Sequence, residues 1–309
     1  MLLVANGSVF TRNTQTPFIP NGAVVIDGDT IVEVGPEREL KAKYPDAEYV
    51  DAQGNLIMPG LINCHTHIYS GLARGLAIKG CNPTNFLENL EQQWWKIDDN
   101  LTLDGTKASA YATILDSIRD GVATIFDHHA SFCEIPGSLF TIKDAAQELG
   151  MRSCLCYEVS DRRGQEKCDQ AIAENAEFAQ WAAKERRDND NHMIAAMPNV
   201  GWCEAMTMLF ENNAKMASKY FDRKLGVLEP GAAADVIVMD YKPFTPLSEE
   251  NIDGHMLFGM MGKNCRTTII NGRVLYKDRE FVGIDEDKIN AWTMAESKKL
   301  WSTLNDRAY

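Results

Sequence analysis

The chain has 309 residues, enough for one large domain or two ordinary ones with a substantial core. Hydrophobic residues make up 45% and charged residues 24%, which is ordinary for a soluble globular protein. The net charge of −13 argues against nucleic acid as the main partner, because phosphate binding needs clustered Lys and Arg, and no apolar run approaches the ~20 residues that span a bilayer.

In chain order, the N-terminus (Met1 to Gly7) lacks a charged segment and a long apolar stretch, so no signal peptide is expected. The first ~56 residues read as short strands joined by turns. Ala23–Ile26, the turn Asp27-Gly28-Asp29 and Thr30–Val34 form a hairpin pattern, and a further strand leads to Met58. From Pro59 the rhythm changes to strands alternating with long helical stretches, the pattern of an α/β domain. Residues 83–120 read as helical, and Gly121–Asp127 as a buried strand that ends in Asp127-His128-His129. A helix over 138–149 leads to a strand starting at Met151, and a longer helix covers 168–187. Residues 186–191 read as a polar linker, and 192–197 as the start of a fourth strand. After Pro198 a helix over 203–221 is expected, then strands at 236–240, 266–271 and 273–277, with a hairpin turn at Asn271-Gly272. A helix over 285–304 closes the pattern. The eight cysteines form no paired framework and no C-x-x-C, so reduced thiols and a cytoplasmic location are expected.

The segment Met58-Pro59-Gly60-Leu61-Ile62-Asn63-Cys64-His65-Thr66-His67 carries most of the chemistry. It is an apolar run ending in two histidines spaced i, i+2, followed by glycines at 71 and 75. On a strand, side chains two apart point the same way, so both imidazoles face one point in space. Imidazole is the commonest metal ligand, and this spacing suits a first-row metal such as zinc. The alternative is a pair of half-buried strand histidines without a ligand.

The segment from Pro59 to His67 resembles the first-strand motif of the amidohydrolase superfamily. The tail Gly226–Asp235 with Asn271-Gly272 resembles that superfamily's returning small β domain. Asp127-His128-His129-Ala130-Ser131, His67–Leu72 and His255–Met260 narrow the resemblance to the SsnA-type aminohydrolases of the chlorohydrolase/deaminase branch. What it implies is an α/β fold: an incomplete TIM-like (β/α) barrel plus a small β-sandwich domain built from both chain ends. The implied parts are 1–57 and 225–280 for the sandwich, 58–224 for the barrel portion, and 281–309 for a C-terminal helix. The resemblance also implies one divalent metal, zinc or iron, and a small nitrogen-containing substrate, with no nucleic-acid or membrane partner. Such enzymes hold the metal through H-x-H on strand 1, single histidines after strands 5 and 6, and an aspartate after strand 8. Here His65 and His67 match, and the later ligands have no counterpart.

Length agrees with that loss. A TIM barrel takes ~250 residues, whereas Pro59 to Tyr220 covers about 160 and offers three strands and a doubtful fourth. The shortening is placed near 197–198. A half-barrel leaves open edges, which implies association, a homo-oligomer being the simplest form. Around the motif, His128 and His129 sit at a strand end where alternation turns one of them inward toward substrate, and Asp127 is a candidate support for a histidine. Tyr69 and Arg74 follow the motif on the rim as candidate substrate contacts. His192 and His255 are left outside the ligand set. The expected chemistry is hydrolysis of a C–N bond by a metal-activated water, with no residue assignable as the proton shuttle. Cyclic-amide hydrolysis is disfavoured, because no lysine stands at a matching strand end. A catalytically incompetent remnant that serves as a structural partner is the competing expectation.

Overall fold

The structure is a computed structural model that describes residues 1–196, 213–243, 245–249, 251–252, 255–256 and 264–306. The expected shortening near 197–198, the first part of the helix expected over 203–221 and residues 257–260 of the His255 motif lie outside the described residues.

The N-terminal fifth folds as expected from its turns: β1 (Leu2–Phe10), β2 (Phe18–Asp27), β3 (Thr30–Pro36), a short α1 (Glu37–Lys43) and β4 (Glu48–Pro59). Near the other end lie β9 (Val236–Met239), β10 (Cys265–Ile270), β11 (Arg273–Lys277) and β12 (Glu280–Phe281). All belong to one eight-stranded sheet in the order β12-β11-β10-β9-β4-β1-β2-β3. The strand β4 joins the two chain ends, running parallel to β1 and antiparallel to β9. A core of β-branched residues, among them Val4, Val24, Ile31, Ile57, Val236 and Ile269, excludes water from one face. Asn271 and Gly272 take φ of 50° and 75°, the left-handed pair that a two-residue hairpin needs. A Cβ on Gly272 would fall on the Gly28 carbonyl, so this turn also requires glycine for close approach.

The middle of the chain supplies β5 (Leu61–Thr66), α2 (Phe86–Asn89), α3 (Trp95–Asp98), α4 (Leu103–Arg119), β6 (Val122–His129), α5 (Ser138–Leu149), β7 (Arg152–Tyr157), α6 (Gln165–Asn189) and β8 (Ile194–Ala196). The four strands form a second sheet in the order β5-β6-β7-β8, with β8 parallel to β7. The alternation of strand and helix follows the sequence pattern. The helices α7 (Asn213–Phe221) and α8 (Glu286–Asp306) complete the described elements.

Two expectations change. The helical stretch 83–120 is broken: a π-type turn at Leu90–Trp94 joins α2 to α3, and α4 starts afresh at Leu103. Asn100 Nδ2 bonds back to the Lys96 carbonyl and Thr102 Oγ1 accepts from Gly105 N, so short polar side chains end one helix and cap the next. The polar run 186–191 is not a linker at its start, because α6 continues to Asn189 before Asp190 turns left-handed at φ 51°. Charge alone did not break the helix.

The chain divides into two compact units: residues 1–63, 117–124 and 202–284, and residues 64–116, 125–201 and 285–309. His65, His67, Tyr69, Arg74, His128 and His129 all fall in the second.

Candidate active site

At the C-terminal end of β5 the strand alternation puts His65 and His67 side by side, with ring centroids 4.8 Å apart and planes at 89°. Nδ1 of His67 lies 3.0 Å from the His128 carbonyl oxygen. A carbonyl only accepts, so Nδ1 carries a proton, and in the neutral ring the lone pair is on Nε2. This is how metal-binding histidines are commonly oriented, by a carbonyl or carboxylate on the far ring nitrogen. Burial and the neighbouring His67 both hold His65 below the ordinary imidazole range, which keeps it neutral at pH 7.

The strand end of β6 acts on the same segment through three consecutive residues. Asp127 Oδ1 accepts from Ile68 N at 2.6 Å, at the start of a 3-10 turn over Ile68–Ala73. His128 contributes its carbonyl to His67 and its ring at 5.7 Å from that of His67. His129 packs its ring 6.2 Å from Tyr69 and 5.6 Å from Tyr157. Asp127 is fully buried, and burial pushes its carboxyl up to about 8, opposed by the Ile68 N–H. Burial, with His128 adding, pushes His129 down to about 3.

The His129 tautomer follows from its partner. Ser131 Oγ donates to the Glu134 carbonyl, so His129 Nε2 donates to Ser131 Oγ at 3.0 Å. Nδ1 is then a bare acceptor, and it meets no hydrogen-bonding atom among the described residues. Of the two histidines, His129 is sealed inside and His128 is half-buried, so His128 is the one open to a small molecule.

Tyr69 is buried against His67, with Trp94 at 6.0 Å on its other side. Arg74 goes elsewhere: its side chain is 81% exposed and pairs with Asp116 at 2.7 Å, so the structure does not gather it with the histidines. A flexible cation at the end of a surface turn finds the nearest carboxylate instead of the rim. His192 bonds Asp190 at 2.7 Å, and His255 bonds Tyr241 and the Pro246 carbonyl.

His65 and His67 fit a metal as two nitrogen donors. They do not complete a site, since such sites take at least three protein ligands. Among the described residues no three His, Cys, Asp or Glu side chains converge to hold one.

Sequence reading did not single out Asp98, Glu158 or Arg162. Arg162 Nη2 meets Asp98 Oδ2 at 2.6 Å and Glu158 Oε1 at 3.3 Å. Burial lifts the Asp98 carboxyl, and the ion pair with Arg162 opposes it. Their signal in the sequence is the charged run Asp161-Arg162-Arg163 just beyond β7, at the strand end where α/β folds carry their sites.

The fold is that of a group of metal-dependent hydrolases. A triazine hydrolase from Arthrobacter aurescens superposes with a TM-score of 0.68 over 96% of this chain and 99% of its own, at 17% identity. An adenosine deaminase from Xanthomonas campestris with bound zinc gives 0.70 over 97% and 98%, at 14% identity. Residues 56–220 match the amidohydrolase family, and residues 22–47 match a bacterial imidazolonepropionase-like composite domain. The chain belongs to the amidohydrolase family. A 5'-deoxyadenosine deaminase from Methanococcoides burtonii is 30% identical over 59% of this chain and 39% of its own length. A 5-methylthioadenosine/S-adenosylhomocysteine deaminase from Bacillus cereus is 25% identical over 62% and 41%. The chain thus spans about two fifths of the length of the curated relatives it matches.

Proposed function

We propose that this chain carries part of the site of a metal-dependent aminohydrolase that cleaves a C–N bond in a small nitrogen-containing substrate. The His67 tautomer is the observation that supports it most: the His128 carbonyl takes the Nδ1 proton and leaves Nε2, beside His65, as a lone-pair donor. The deaminase names of its relatives agree with a C–N bond as the target. His65 and His67 would hold the metal, zinc first and iron second, which when bound supplies a water acidic enough to form hydroxide near neutral pH. Within the chain, His128 and Asp127 orient His67 and the residue after it. The Tyr69 ring and the half-buried His128 ring each lie 5.7 Å from that of His67. No described residue is assigned as the proton shuttle. Reduced cysteines agree with a cytoplasmic location.

Metal analysis of the purified 309-residue protein tests this, together with ammonia release from purine and hydantoin-like compounds. Bound metal approaching one per chain, lost in His67→Ala, is the expected result. Below about 0.2 metal per chain with no hydrolysis, the enzyme reading fails.

A second reading, a catalytically incompetent partner protein, is favoured by the missing third donor among the described residues. It predicts a homo-oligomer in sedimentation experiments and no metal.

A further inference from the structure

Beyond β7, two neighbouring arginines meet two neighbouring aspartates of the helix α3 region. Arg163 grips Asp99 with Nε at 2.8 and 3.0 Å from the two carboxylate oxygens, a partly exposed pair. Arg162 is different. Its side chain is 10% exposed and that of Asp98 is 1% exposed. Its guanidinium carbon lies over the Phe132 ring at 4.0 Å and over the Trp95 ring at 5.2 Å from their centroids. Only Nη2 is engaged, by Asp98 and Glu158. Nε and Nη1, which together carry three of the five N–H donors, are buried and meet no acceptor among the described residues. Asp98 Oδ1 is likewise buried without a donor.

Unspent donors on one residue beside an unspent acceptor on its partner are costly when nothing answers them. The pair carries a specific demand: an acceptor for Arg162 and a donor for Asp98 on one small molecule. Net charge excludes a simple anion, because Asp98 and Glu158 already outnumber Arg162. A cyclic amide presents that combination, C=O and N–H on adjacent atoms of a flat ring. The site belongs to the same neighbourhood as the histidines. The Tyr69 ring lies 5.7 Å from that of His67 and 6.0 Å from that of Trp94, whose chain neighbour Trp95 packs on Arg162.

We propose that Arg162 and Asp98 recognise the lactam edge, –N(H)–C(=O)–, of a planar nitrogen heterocycle, Arg162 donating to the carbonyl and Asp98 Oδ1 accepting from the N–H. This names the substrate class for the aminohydrolase reading and rests on it. Arg162 engages Oδ2 and opposes the lift that burial gives the Asp98 carboxyl, which leaves Oδ1 as the acceptor.

Calorimetric titration of the full chain with hypoxanthine, 1-methylhypoxanthine and purine tests it by changing the ligand's atoms instead of the protein's. Hypoxanthine has both groups, the methyl derivative lacks the N–H, and purine lacks both. Hypoxanthine is expected to bind about tenfold or more tightly than either of the others, the value of one charge-assisted hydrogen bond. Arg162→Gln is expected to abolish the preference over purine, which the carbonyl supplies, whereas Arg163→Gln keeps it. Equal affinity for the three compounds, no binding of hypoxanthine, or an unchanged preference in Arg162→Gln overturns the proposal. Because these readouts need no metal and no turnover, they fail separately from the metal and ammonia measurements.

Discussion

Asp127 illustrates how much of the site is held by single contacts. One carboxylate oxygen caps Ile68 N–H, the first peptide after the H-x-H pair, in a fully buried setting. Asp127→Ala leaves that N–H in the interior with no partner, at a cost of about 1–3 kcal/mol. The expected outcome is a urea midpoint lowered accordingly, with Asp127→Asn, which keeps an acceptor, much closer to wild type. If both variants unfold at the same urea concentration as wild type, the cap is not contributing. The histidines were legible from spacing alone, because strand alternation forces i and i+2 to one side. The tautomer of His67 was not, since it depends on a carbonyl 61 positions away. Arg74 shows the converse: its place beside the motif pointed inward, and the nearest carboxylate, Asp116, took it outward.

The C-terminal helix α8 shows the same point for elements. The sequence placed a helix over 285–304, and nothing there indicated what it packs against. In the structure Trp301 Nε1 donates to the Leu72 carbonyl at 2.8 Å, Trp292 stacks edge-on with Tyr111, and Asn305 Oδ1 accepts from Lys79 N. The helix therefore braces the 3-10 turn that follows His67. On its other side that turn abuts α4, where a Cβ on Gly71 would come within 2.7 Å of the Ser109 carbonyl and Thr113 Oγ1. Trp301→Phe keeps an aromatic ring, though a smaller one, and removes the donor. It is expected to cost about 0.5–1.5 kcal/mol and to speed amide exchange in residues 68–79 while β7 stays protected. Exchange that rises equally in β7 would mean that the brace is global and not local. The break between α3 and α4 belongs to this scale as well. Composition favours helix throughout 83–120, but Asn100 and Thr102 spend their side chains on backbone groups and stop it.

At the scale of the molecule, the distant ends of the chain are sewn into one sheet, and polar contacts follow the strands. Asn13 Nδ2 bonds Glu229 Oε2 at 2.6 Å across 216 positions, and Lys224 pairs with the same carboxylate. The Lys224 bond, with Asn13 adding, holds Glu229 below its ordinary value of 4.5. A carboxyl lowered by folding stabilises the fold above its unfolded pKa, and the gain is lost as pH falls through the lowered value. Glu229→Gln is therefore expected to melt lower than wild type at pH 7, by about 0.5 kcal/mol for a partly exposed pair. The gap should close as the pH falls below about 4. A gap that persists at pH 3 would assign the effect to packing.

Sequence by itself determined the architecture and the family. Alternation marked the strands, Asn271-Gly272 marked a hairpin turn, and His65-Thr66-His67 marked two imidazoles on one side of a strand end, because each of these is a local regularity written within ten residues; the sheet built from both ends was implied by the family resemblance. Tertiary structure alone decided which groups meet: the His128 carbonyl on His67, Asp127 on Ile68, and Arg162 against two rings with donors to spare. Those contacts join positions dozens of residues apart. Their geometry depends on how strands and helices stack around a buried core, and no short stretch of the chain encodes that.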